Sequence, residues 1–282
     1  MWTNYHTHTN YCDGKASIAE VIASAITQNV VSLGFSSHAP IPIDCKWCMK
    51  KSSLENYLAE LENQKTIGSG LPIYSSLEID YIPGIISPKD FASRLDYTIG
   101  SVHYVDFFED GRGWEIDGTH AFFLEGYDAI FKKDIKAVMT RYYELLSEMV
   151  SDFCPTIVGH MDRIKIQNLG ESFYKESDPW YQNLVKQTLD VIRKSGAIIE
   201  VNTRGLYQKR SLTTYPSPWI LELILKRGIP ITLSSDAHHP DDLVNQFPEV
   251  AASLRSIGFE KIKVLDKGDW IDASFDHLGV RL

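Results

Sequence analysis

Short apolar runs alternate with longer amphipathic stretches along most of the chain. The runs Trp2–His6, Val31–Ser36, Ile73–Glu78, Tyr97–Val102, Thr156–Gly159, Ala197–Asn202 and Pro230–Ser234 read as buried strands. Lys261–Leu265 reads as a late extra strand. Between them, apolar residues recur at helical spacing, which predicts helices over Ser17–Gln28, Ser53–Thr66, Lys133–Met149, Tyr181–Lys194, Pro218–Arg227 and Asp241–Ser256. Ser217 followed by Pro218 is an N-cap and first helical residue, and Gly228 closes that helix. Strand–helix alternation implies parallel strands joined by helical crossovers. About seven such units point to an α/β barrel more than to an open sheet.

Two long segments interrupt this pattern, Ile41–Lys51 and Asp106–Gly126. On a barrel, insertions after strands become loops at the catalytic mouth. A lid or substrate loop is therefore expected around residues 106–126. The 282 residues lack a low-complexity linker or internal repeat, so residues 1–282 are expected to form one barrel domain.

Composition adds exclusions. The chain is 44% hydrophobic and 23% charged, enough apolar content for a full core. Its net charge of −9 argues against a nucleic-acid-binding surface, though a local basic pocket is compatible with it. The start of the chain shows neither a basic nor an apolar leader region, and no apolar run approaches the ~20 residues a bilayer span needs. No membrane partner and a cytoplasmic location are expected. Four cysteines include one C-x-x-C, Cys45 and Cys48, with no second pair to complete a four-sulfur zinc site. All four are expected to be ordinary reduced thiols.

The candidate chemistry collects at the strand ends. His6 and His8 end the first strand, His38 follows the second, and Glu78 ends the third. His103 and His160 end the fourth and fifth, Asp236 and His238 follow the seventh, and Asp13 lies just beyond the first pair. Seven of the nine histidines thus fall at or just after strand C-termini, His239 trailing; His120 and His277 lie outside the pattern. Parallel barrels build their sites at that face. The H-x-H spacing sends two imidazoles to the same side of a strand, within reach of one ion. A single histidine at such a position is usually a hydrogen-bonded loop residue. Nine ligand-type residues at six strand ends form a shared metal site. Three protein ligands suffice for a catalytic zinc, so the set can serve two or three divalent ions, with zinc, manganese and iron all suited to imidazole and carboxylate.

The motifs HTHTNYCDG, SSHAP, LEIDYIPG, IGSVHYVD, GHMDRIKI, EVNTRGL, TYPSPWIL and SSDAHHP run the length of the chain in this order. In them the chain resembles the polymerase-and-histidinol-phosphatase (PHP) class of metallohydrolases and, within it, the histidinol-phosphate phosphatase family. The resemblance implies a distorted (β/α)7 TIM-like barrel and three metal ions. It assigns His6, His8, Glu78 and Asp236 to the first ion, and Glu78 as a bridge with His103 and His160 to the second. Asp13, His38 and His238 fall to the third. Many members carry His where this chain has Asp13, and a carboxylate there favours harder ions.

A metal cluster of this kind suits hydrolysis of a phosphate monoester, ionising water and neutralising phosphoryl oxygens. Glu78, Asp236 and His238 are the expected catalytic residues. Arg163 and Arg204 are the leading phosphate partners, with Lys209, Arg210, Ser101 and His239 behind them. The implied substrate is L-histidinol phosphate, whose cationic amino-alcohol end could be received by Trp114, Glu115, Asp117 or Asp80; inorganic phosphate is the product. The competing readings are a PHP-class phosphoesterase for another ester such as a nucleotide or sugar phosphate, an amidohydrolase-type barrel, and a non-catalytic metal-binding regulatory protein. The amidohydrolase reading is disfavoured because a bridging Lys at strand four is replaced by His103.

Overall fold

The computed structural model describes residues 1–282. The chain opens with β1 (Trp2–Asn4), α1 (Ile18–Thr27), β2 (Val30–Phe35), α2 (Leu54–Ile67), β3 (Ile73–Ser75) and β4 (Glu78–Asp80). Then come β5 (Ile99–Ser101), β6 (Tyr104–Phe107), β7 (Gly113–Glu115), α3 (His120–Ala129), α4 (Ile135–Phe153) and β8 (Ile157–Val158). The last part holds α5 (Pro179–Ser195), β9 (Ile198–Asn202), α6 (Arg204–Tyr207), α7 (Pro218–Arg227), β10 (Ile231–Ser234), α8 (Phe247–Ile257), β11 (Lys261–Asp266), β12 (Asp269–Asp276) and β13 (Gly279–Arg281).

This is an α/β fold with parallel sheets. One sheet has the order β1-β2-β3 and the other β10-β9-β8-β5-β4. The closed barrel expected from the alternation is not present as one continuous sheet. The third strand breaks in two between Ser75 and Glu78, which separates the sheets. Two isolated parallel bridges, Thr7 with Ala237 and His38 with Glu78, connect their edges at the C-terminal ends of the strands.

Local sequence explains the main boundaries. Ser17 caps α1 in a capping box with Glu20. Pro218 opens α7, and Gly228 ends it in the left-handed conformation at φ 65°. β1 stops at Asn4, earlier than the apolar run suggests, because the Asn4 side chain substitutes for ladder bonds. Its Oδ1 accepts from His6 N at 3.1 Å and its Nδ2 donates to Ser235 Oγ at 2.8 Å. His6 and His8 therefore lie just past the strand. α8 begins at Phe247 instead of Asp241, since Gln246 turns left-handed at φ 66° and breaks the helical run.

Two segments differ more from expectation. Asp106–Gly126 is not an irregular loop: β6 and β7 form an antiparallel hairpin and α3 follows. Trp114, Ile116 and Phe123 from it are buried in the largest hydrophobic cluster. Gly126 lies so close to the Trp114 ring that any side chain there would overlap it. After β11 the chain adds β12 and β13, an antiparallel sheet whose second and third strands the hydrophobic pattern does not reveal. Cys45 and Cys48, expected as free thiols, form a disulfide. Their four-residue loop brings the two Cα atoms to 5.5 Å, within bonding range. No helix is long and apolar enough to cross a membrane.

Candidate metal centre

All nine expected ligands meet at the C-terminal ends of the strands. They fall into three groups of mutually close donor atoms: His6, His8 and Asp236; Glu78, His103 and His160; and His8, Asp13, His38 and His238. Glu78 is the hub. Its Oε1 lies 2.9 Å from His160 Nε2 and 3.7 Å from His103 Nε2. Its Oε2 lies 3.1 Å from His6 Nε2, 3.0 Å from His38 Nδ1 and 3.5 Å from His8 Nε2. Asp236 Oδ1 sits 3.2 Å from His8 Nε2, and Asp13 Oδ1 sits 3.1 Å from His238 Nε2.

The residues fit bound cations on two counts. First, His6 Nε2, His8 Nε2, His38 Nδ1, Glu78 Oε2 and Asp13 Oδ1 are buried without a hydrogen-bond partner, although they face one another. Buried polar atoms are normally paired, and unpaired ones cost ~1–3 kcal/mol each. Second, the carboxylates of Asp13, Glu78, Asp80, Asp117, Glu200 and Asp236 surround the histidines, while Arg163, Arg204 and Arg210 are the cationic side chains lining the cleft. Such an excess of buried negative charge calls for cations.

Protonation follows the same logic. Burial opposes charge on His8, but the Asp236 hydrogen bond and Cys12 outweigh it and push its pKa up to about 9. His103, likewise buried, is pushed up to about 10 by Asp80. Burial lowers His238 to about 4 and takes His38 well below its ordinary value. Glu78 and Asp236 stay ionised despite burial, held by His6 and His38 in one case and by Arg204 and His6 in the other.

A second layer fixes the ligands, and strand-end reasoning does not find its key member. Glu200, fully buried on β9, accepts from His6 Nδ1 at 2.6 Å and from the backbone N of His160 at 2.9 Å. A carboxylate inside the apolar run IIEVN is the signal that marks it. Asp80 holds His103 Nδ1 at 3.0 Å, so it orients a ligand and does not receive substrate. Cys12 packs against the second hydrophobic cluster, and its Sγ lies 3.5 Å from His8 Nδ1.

The cleft above these groups includes Arg163, Arg204, Arg210, Glu115 and Asp117, as expected, and also Trp47. Arg163 is buried and makes a forked pair with Asp117 at 2.8 Å. Arg204 Nη1 contacts Asp236 O at 2.6 Å and also His238 Nδ1. Four expected partners lie elsewhere. Ser101 spends its hydroxyl on Glu78 Oε1 at 2.7 Å. Lys209 is exposed at φ 57° on the turn after α6 and points into a neighbouring surface depression. Trp114 is fully buried in the core. His239 pairs at the surface with Asp241, and His120 pairs with Gln167.

The PHP domain model matches residues 4–204. The chain belongs to the PHP domain family. Among its relatives, the "Probable histidinol-phosphatase" of Deinococcus radiodurans is 28% identical over 90% of this chain and 92% of its own length. The "Histidinol-phosphatase" of Bacillus subtilis is 27% identical over 84% of this chain and 94% of its own. In three dimensions, the histidinol phosphate phosphatase of Lactococcus lactis, solved with zinc, L-histidinol and phosphate, superposes with a TM-score of 0.68 at 18% identity. That match covers 100% of this chain and 99% of the other. The hisK protein of Listeria monocytogenes gives a TM-score of 0.74 at 21% identity, over 88% and 99%. These two structures share the fold over 88% and 100% of this chain.

Proposed function

We propose that this chain is a metal-dependent phosphomonoesterase that hydrolyses L-histidinol phosphate to L-histidinol and phosphate, acting in the cytoplasm in histidine biosynthesis. The observation that carries the reading is the set of buried, unpartnered ligand atoms around Glu78, opening into a cleft that holds Arg163 and Arg204. The names of the relatives over nearly their whole length, and the zinc, L-histidinol and phosphate in the Lactococcus protein, supply the substrate class. The whole chain forms one distorted (β/α)7 barrel in this reading, with the two isolated bridges closing the ring.

The nine ligands would hold two or three divalent ions, zinc, manganese or iron, with Glu78 and Asp13 among the donors. Held there, they supply Lewis-acid stabilisation of phosphoryl charge and acidify water. The protein's own residues do the rest. Arg163, oriented by Asp117, and Arg204, oriented by Asp236, grip the phosphoryl oxygens. Asp236, kept ionised by Arg204 and His6, serves as an anionic ligand that also orients Arg204. His238, neutral at pH 7, is a competent ligand at the rim beside Asp13.

A screen of phosphate esters against protein loaded with defined metals tests this. L-histidinol phosphate should be turned over at least ~10-fold more efficiently than nucleotide and sugar phosphates, a difference the cationic leaving group can supply. Equal turnover of all esters would leave a general PHP phosphoesterase as the better reading.

A further inference from the structure

The wall of the cleft that carries Trp47 is not explained by ions or phosphate. Trp47 comes from the loop between β2 and α2, with Cys45 and Cys48 bonded on either side of it. The loop is anchored at its end, where Met49 is buried and its N–H donates to His38 O at 3.2 Å. The Trp47 ring packs edge-on against His38 at 4.4 Å between centroids and lies 5.3 Å from His103. Tyr104 stacks on it at 5.9 Å. Its indole Nε1 donates to Glu115 Oε2 at 2.9 Å.

Glu115 stands apart from the other carboxylates of the cleft. Asp117 is paired with Arg163 and Asp236 with Arg204, while Glu78 and Asp13 lie against the ligand histidines. Glu115 has no cationic partner within ion-pair distance, yet it lines the same cleft. An indole N–H fixes its position without cancelling its charge. A half-buried, oriented, unpaired carboxylate beside an aromatic face is the arrangement that receives an ammonium or imidazolium group.

We propose that Trp47 is a specificity-determining residue: with Glu115 it forms the receptor for a cationic leaving group, and the Cys45–Cys48 bond is the clamp that positions it. This rests on the phosphomonoesterase reading above and narrows it. The anionic end of the ester faces Arg163 and Arg204, while its cationic end faces Trp47 and Glu115. Selection among esters then lies with Trp47 and Glu115 and not in the metal ligands.

The test is the ratio of kcat/KM for L-histidinol phosphate to that for p-nitrophenyl phosphate, whose leaving group is not cationic. It is measured on metal-loaded wild type, Trp47→Phe, Glu115→Gln and the Cys45→Ser/Cys48→Ser double variant, with metal content checked by elemental analysis. The wild-type ratio should be high. Loss of a charge-assisted contact should lower it about 10- to 100-fold in Glu115→Gln. Trp47→Phe keeps a ring but loses the N–H, so the ratio should fall severalfold, through KM more than kcat. The double serine variant should move the same way. A high wild-type ratio that survives Glu115→Gln and Trp47→Phe overturns this inference and leaves the activity standing. A wild-type ratio near one overturns both the inference and the histidinol phosphate assignment. A double variant that keeps the wild-type ratio overturns the clamp.

Discussion

Adjacent residues just past the end of β1 build two opposite environments. His6 points into the metal groups, while its neighbour Tyr5 points into a closed cluster with Tyr74, Tyr97, Ile99, Ile157, Ile198 and Leu265. Around Tyr5, the hydroxyls that would otherwise be stranded are paired. Tyr5 Oη donates to Ser32 Oγ at 3.0 Å and accepts from Leu265 N at 2.7 Å, and Tyr97 Oη donates to Tyr5 O at 2.5 Å. Around Glu78, five ligand atoms have no partner. Neighbouring positions of one extended segment point to opposite sides, which puts one residue in each place. Complete satisfaction at Tyr5 makes a stable plug, and the deficit at Glu78 makes a receptor for cations. The two regions should therefore fail differently when damaged.

The largest effect is expected at Glu78, which contacts histidines from all three groups. Glu78→Gln should cut phosphatase activity by roughly 10³-fold, the scale of losing a principal electrostatic element, while the far-UV circular dichroism stays native. Tyr97→Ala should do the reverse. It removes a large buried ring and should cost about 3–5 kcal/mol by urea titration, with metal stoichiometry intact in the folded fraction. Glu200→Gln tests the link between the regions, because Glu200 supports the metal groups from inside β9. Metal affinity should weaken about 10–100-fold in competition with a chelator, and the excess metal should restore activity. Lys209→Ala is the smallest: an exposed side chain outside the cleft should leave stability within about 0.5 kcal/mol and kcat/KM within about twofold.

How far this was readable in advance divides along the same lines. The ligands were legible because histidine and carboxylate side chains at the ends of short apolar runs are few and fall in strand order. Their grouping around Glu78 was implied by family resemblance, and the geometry brings the same residues together with His8 shared. Glu200 was missed because it sits inside a strand, where an apolar pattern discourages attention to a single acid. Trp47 was missed because its loop has no periodic signal, and the Cys45–Cys48 bond that fixes it runs against the expectation for a reducing compartment. Trp114 and Ser101 were placed at the site by position along the chain. Burial sent one to the core, and the hydroxyl of the other went to Glu78. The β11–β12 turn was the most recoverable omission. Lys267 and Gly268 both have positive φ, a hairpin turn that a glycine between two polar strands could have announced.

The proposed activity depends on divalent ions held by the unpartnered atoms around Glu78. The most direct measurement is elemental analysis of wild type and Glu78→Gln after chelator stripping and reloading with zinc, manganese or iron, with L-histidinol phosphate hydrolysis assayed on the same samples. Two or three ions per wild-type chain are expected, with activity that disappears on stripping and returns on reloading, and a reduced count in Glu78→Gln. Full activity in metal-free wild type would contradict it.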